Sequence, residues 1–189
     1  MVGPKGCSSR EIAEMTSVMP ADLETALVIT VPDIPKVIRD SRLRLDPVAA
    51  LGVPEHVTVM YPFLHADDVG EAIVDRLEKI CSQTAGFEFS LTEVRWFGEA
   101  VVWLAPRPED PFRRLSMLVE REFGTRPYGG AYDEITPHLT IGDHGPVEQM
   151  RAVPDLVAPF LPIHGRAAEL ALFQGGPAGW AEVRRFLFR

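Results

Sequence analysis

Cysteine is nearly absent: Cys7 and Cys81 are the two in 189 residues. That is too few for a disulfide framework, and they lack the CxxC spacing of a redox or metal site. No apolar run approaches the roughly 18–20 residues needed to cross a bilayer. The first twenty residues, MVGPKGCSSREIAEMTSVMP, hold no apolar stretch of the secretory kind. Residues 1–20 read as a loosely ordered leader with one helical turn around Arg10–Met15. These absences predict a cytoplasmic protein with no membrane partner, and a monomer is expected. Positive charge is also scarce: 19 Lys and Arg against 27 Asp and Glu leave a formal charge of −8. A protein that grips long RNA by neutralising phosphates is normally basic. No extended RNA surface is therefore expected, and a small substrate or chain end, recognised locally, is.

Core-forming residues are present in ordinary amounts. A hydrophobic content of 46% with 24% charged residues is enough for one packed domain, placed at 21–189. Residues 23–31 (LETALVITV) form a short β-rich run ended by Pro32. A short helix is expected over 35–43, then a strand over 56–60 closed by Tyr61-Pro62-Phe63. Val69, Ile73, Leu77 and Ile80 carry helical spacing through 67–81, where Cys81 reads as a small buried apolar residue. Phe87, Phe89 and Leu91 alternate, and with 101–105 they suggest a hairpin around Gly98-Glu99. A second helix over 112–123 would bury Phe112, Leu115, Leu118 or Val119, and Phe123, stopping at Gly124. A strand over 136–141, a helix over 147–157 and two strands over 163–173 and 180–188, turning at Gly175-Gly176, complete the chain. The order is strand, helix, strands, twice over. The expected class is α+β, with two pseudo-symmetric lobes, each an antiparallel sheet with packed helices, and a cleft between them.

Two segments match each other: Pro54-Glu55-His56-Val57-Thr58-Val59 and Thr136-Pro137-His138-Leu139-Thr140-Ile141. Both read His-x-Thr-x with apolar x. Residues two apart on a strand share a face, about 6.5–7 Å apart. His56 thus sits with Thr58 and His138 with Thr140, while Val57, Val59, Leu139 and Ile141 turn into a core. With nine threonines in 189 residues, two such hits among five histidines arise by chance about one time in fifty. The matched apolar positions and strand context make coincidence rarer still. Two imidazoles and two hydroxyls converging on one cleft suit phosphodiester chemistry. One imidazole takes a proton from the attacking oxygen while the other gives one to the leaving oxygen. The hydroxyls donate to the non-bridging phosphate oxygens. The plainer alternative is a pair of structural strand histidines beside threonines that are there for their β-propensity.

The doubled motif, its copies 82 residues apart, resembles the signature of the 2H phosphoesterase superfamily, in particular its 2′-5′ RNA ligase and cyclic-phosphodiesterase branch. The resemblance runs over roughly 23–188. It includes His56-Val57-Thr58-Val59-Met60-Tyr61-Pro62-Phe63, the helix after it, the 101–104 strand and the closing strand near Trp180. It implies a bilobal antiparallel fold and a metal-independent phosphodiesterase that needs no cofactor. It also implies substrates such as 2′,3′-cyclic phosphates or 2′-5′ linkages at nucleotide or RNA termini. His56 and His138 are the implied catalytic pair, and Thr58 and Thr140 the implied phosphate-binding pair. Which histidine is the base, and whether the reaction runs as hydrolysis or ligation, stays open. A second class of reading is a catalytically silent nucleotide-binding or regulatory module that uses the same cleft.

Other polar and aromatic residues give weaker signals. His65, His144 and His164 suit turn or surface positions, and with Asp67, Asp68 or Asp143 they make no metal-ligand spacing. Tyr61 and Trp103 are candidates to stack on a base, as are Trp96 and Trp180, although core packing is the commoner use of such rings. Arg113-Arg114 and Arg184-Arg185 read as solvated charges, of which one arginine in the cleft would help bind a phosphate.

Overall fold

The computed structural model describes residues 23–132 and 134–189. The leader over 1–20, with Cys7 and the turn near Arg10, lies outside the described residues. Eight strands among the described residues form two four-stranded antiparallel sheets. The first sheet has the order β2-β1-β7-β8, built from β1 (Glu24–Thr30), β2 (His56–Met60), β7 (Glu169–Gly176) and β8 (Gly179–Leu187). The second has the order β5-β4-β3-β6, built from β3 (Phe87–Phe97), β4 (Val101–Arg107), β5 (Leu139–Asp143) and β6 (Ile163–Ala167). The two orders correspond, β2 with β5 and β1 with β4. Each motif strand is thus the edge of its own sheet.

Helices cross between the lobes. The helix that follows β1, α1 (Lys36–Leu45), packs on β5 of the other sheet, and the one-turn α2 (Pro47–Ala50) comes directly after it. Its counterpart after β4, α4 (Asp110–Phe123), packs on β2. Another helix, α3 (Glu71–Gln83), packs on β8. In α4 the four-residue spacing buries Phe112, Leu115 and Val119. The helix ends at Gly124, whose left-handed backbone (φ 73°) donates its N–H to the Glu120 carbonyl at 2.8 Å. One continuous core joins both sheets through Leu27, Ile29, Leu77, Leu91, Leu104 and Leu139. Val57, Val59, Leu139 and Ile141, the apolar positions of the two motifs, are all within it. Cys81 is also fully buried there, and burial pushes its thiol up to about 12.

Several boundaries differ from the sequence reading, each for a local reason. The helix over 67–81 is split: His65 caps a single turn at Ala66–Asp68 through its Nδ1, which accepts from the Asp67 N–H at 3.3 Å. Gly70 then resets the chain before α3 begins. The helix over 147–157 is two short pieces, α5 (Val147–Arg151) and α6 (Val153–Val157). Pro154 has no N–H to continue the ladder. The run over 163–173 is two strands, because the chain leaves the second sheet at Ala167 and enters the first at Glu169. The closing turn is Pro177-Ala178, since Gly176 pairs with Gly179 across it. Strand β5 begins at Leu139 rather than at Thr136, whose carbonyl is taken by a side chain.

Candidate active site

That side chain is His138. Its Nδ1–H donates to the Thr136 carbonyl at 2.7 Å. In the other lobe, the Nδ1–H of His56 donates to the Pro54 carbonyl at 2.8 Å. Both bonds reach back two residues, and a carbonyl can only accept, so both bonds place the proton on Nδ1. Each neutral ring therefore keeps its lone pair on Nε2, on the far side of the imidazole. His56, Thr58, His138 and Thr140 are all half-buried and line one cleft of about 730 Å³. The size suits a nucleotide-scale ligand. The structure brings all four together.

The two histidines sit in unequal surroundings. Behind His56 lies Arg42, 1% exposed, which donates to the Val53 carbonyl at 2.9 Å and pairs with Asp46 at 3.0 Å. Burial is the main influence on the His56 imidazole and pulls it down to about 4. The Arg42 and His138 charges act the same way, against the bond to Pro54. His138 is also held below its ordinary value by burial, opposed by the bond to Thr136. Its neighbours are rings: Phe97 edge-on at 5.0 Å and Trp103 at 5.7 Å between centroids.

Thr58 has a cleft neighbour that the sequence reading missed. The phenol of Tyr128, pushed up by burial, meets the Thr58 hydroxyl. Tyr128 holds a left-handed backbone (φ 54°, ψ 33°) that non-glycine residues adopt rarely. Its N–H bonds to the Tyr61 carbonyl at 2.6 Å, and its ring lies edge-on to Tyr132 at 5.7 Å. A backbone outlier that carries a side chain into a cleft is typical of functional sites. Nothing in Arg126-Pro127-Tyr128-Gly129-Gly130 announces it beyond a turn.

Tyr61 and Trp180 line the cleft, whereas Trp103 lies beneath it, 3% exposed and stacked on Phe97 at 4.7 Å. That ring supports His138 from below and has little face to offer a base. Trp96 is half-buried against the core. His65 occupies the predicted turn, and His164 is exposed on β6 with its Nδ1 at 2.9 Å from the Ser90 hydroxyl. His144 is in a turn too, but with Asp143, 2.5 Å away, it reaches the mouth of the cleft. Arg113 bonds Glu109 and the Ile135 carbonyl, Arg184 bonds Glu78, and Arg185 bonds Glu169 and Glu182. No Lys or Arg is among the described residues lining the cleft. Among the described residues no group of three or more His, Cys, Asp or Glu is arranged to hold a metal ion.

The fold is shared with known structures. LigT of E. coli, in its complex with 3′-AMP, is 19% identical, with 87% of this chain and 97% of LigT covered and a TM-score of 0.54. LigT complexed with NADP+ gives the same coverage and identity and a TM-score of 0.53. The protein TT0787 of Thermus thermophilus is 16% identical over 88% of this chain and 98% of its own, with a TM-score of 0.58. No curated protein matches the chain in sequence. The model of the 2′-5′ RNA ligase superfamily matches residues 30–176, most of the chain and both histidine motifs, so this protein belongs to that superfamily, the 2H phosphoesterases.

Proposed function

We propose that the cleft is a metal-independent phosphodiesterase site that opens a 2′,3′-cyclic phosphate at a nucleotide or RNA end. The same site would make or break 2′-5′ linkages when a ribose oxygen replaces water. The supporting observation is the pair of imidazoles with Nδ1 tied to backbone and Nε2 left free, beside one threonine each, in a single cleft. In hydrolysis, water attacks phosphorus and gives its proton to one Nε2, while the other Nε2 gives a proton to the departing ribose oxygen. One P–O bond forms, one breaks, and the two histidines exchange protonation states. Thr58 and Thr140 donate to the non-bridging oxygens as charge gathers there. Tyr128, touching Thr58, adds a third hydroxyl to that set. The LigT complexes show nucleotides bound to a protein of this fold, which fits a nucleotide as ligand here.

The test is turnover of 2′,3′-cyclic mononucleotides, a cyclic-phosphate-ended oligonucleotide and 2′-5′ dinucleotides. His56→Ala and His138→Ala should each lower turnover about a hundredfold or more, with unfolding midpoints held. Excess chelator should change nothing. Tight nucleotide binding without product would favour the silent module, and full activity in either variant would overturn the assignment.

A further inference from the structure

The cleft continues past the histidines along the face of the first sheet. That face has its own small apolar cluster, separate from the main core: Ala26, Val28, Ala171 and Phe173, with Tyr61 and Trp180 packed on it. The register explains how it is made. Thr58 lies opposite Val28, Ala26 opposite Phe173, and Glu24 opposite Gly175, which in turn faces Trp180. A Cβ on Gly175 would sit 2.6 Å from the indole, so the missing side chain is what lets Trp180 fold across the sheet. Trp180 meets the Tyr61 ring edge-on at 5.9 Å. The Tyr61 hydroxyl donates to one Glu24 carboxylate oxygen at 2.6 Å. Glu24 lines the cleft, and its second oxygen has no partner among the described residues.

Glu24 is four residues along β1 from Val28, about 13 Å at 3.3 Å per residue. Allowing for the reach of a glutamate and a threonine side chain, that is the span from a nucleotide's phosphate to the outer edge of its base. An oriented carboxylate accepts and never donates. It therefore selects a base whose outer edge carries two adjacent donors. Of the four common bases only guanine does, with N1–H beside the N2 amino group. Uracil offers one donor, and adenine and cytosine each place an acceptor next to their amino group.

Resting on the phosphodiesterase reading above, we infer that the far end of the cleft selects guanine, with Glu24 accepting from N1–H and N2–H and the base lying against Trp180. Tyr61 is then a positioning residue: its hydroxyl fixes the carboxylate, and its ring steadies Trp180. The other charged residues lining the cleft, Asp46, Glu134 and Asp143, are acidic as well. That lining favours a ligand whose single phosphate sits at the histidines over one with a diphosphate chain.

The experiment compares kcat/KM for the 2′,3′-cyclic phosphates of guanosine, inosine, adenosine, cytidine and uridine. The guanosine substrate should lead adenosine, cytidine and uridine by about ten- to a hundredfold, the range for hydrogen bonds to a charged partner. Inosine, which keeps N1–H and lacks the amino group, should fall between. Glu24→Gln puts a donor beside an acceptor, the pattern that pairs with adenine, so it should lower the guanosine value and raise the adenosine value. A misfolded variant would lose both. Tyr61→Phe should narrow the preference mainly through KM. Equal kcat/KM across the five substrates, or an unchanged ranking in Glu24→Gln, overturns the guanine assignment and leaves the phosphodiesterase intact. Turnover of none of them overturns both.

Discussion

Acidification should destabilise this protein through His56 by an amount that can be worked out. An ordinary histidine titrates near 6.5, and burial beside Arg42 brings this one to about 4. The folded state then binds fewer protons than the unfolded chain throughout that interval. Stability is full above pH 6.5 and is lost as pH falls toward 4. Between pH 7 and pH 4.5 the His56 share of the loss is about 2–3 kcal/mol, taking 1.36 kcal/mol per pKa unit. His138, also held down by burial, adds a loss of the same sign. Asp46 works the other way, since burial raises its carboxyl and acid relieves that cost. The Arg-paired carboxylates Glu93 and Glu122 are held below their ordinary values, so they contribute mainly below this window. Urea unfolding at pH 7 and 4.5 measures the difference, and His56→Asn should shrink it by the His56 share. Proton NMR of the ring should place its midpoint well below 6, and an anionic nucleotide should raise the midpoint of at least one of the two histidines. A midpoint at 6.5 in the ligand-free protein, or a pH response unchanged in His56→Asn, would refute the reasoning.

Other expected outcomes concern the two motif threonines and the packing beneath the site. Thr58→Val and Thr140→Val keep shape and remove one hydroxyl each. Each should lower kcat by about ten- to a thousandfold with KM moved less, by analogy with loss of one donor to a developing charge. Gly142→Ala would place a Cβ 2.4 Å from the Met150 sulfur and 3.0 Å from Leu45. Thermal unfolding should show about 1–3 kcal/mol of destabilisation, because Met150 of α5 and Leu45 of α1 must both give way to admit the methyl group.

The motif and the lobes were legible because their signals are local and repeated. Alternation in His56–Met60 forces Val57 and Val59 inward whatever else the chain does, and the second copy repeats this at His138–Ile141. The helix over 110–123 carried both its period and its glycine stop. The sequence hid what depends on contacts distant along the chain. Arg42 looks like one more charge on an amphipathic helix until α1 is found packed on the other lobe's β5, which buries it near the histidine. Glu24 looks like a strand-edge glutamate until Tyr61, 37 residues away, is seen to orient it. Trp103 has the composition of a stacking residue and the register of a supporting one, because its place opposite Thr140 on an inner strand puts Phe97 across its face.

The crossed helices also explain how two motif copies on separate sheets come to line one cleft. Each motif strand is a sheet edge and would be free to drift if its lobe were held only by its own helices. Here α4 leaves the second sheet and braces β2, while α1 leaves the first and braces β5. A displacement of one lobe therefore moves a helix packed on the other. Leu27 of the first sheet and Leu104 and Leu139 of the second also belong to one shared core. The reaction proposed above would tolerate little error in the separation of the two imidazoles. The proton affinities of the two imidazoles, by contrast, depend on local neighbours. That is why identical motifs can keep identical geometry while a buried guanidinium lies near one ring and two aromatic rings border the other.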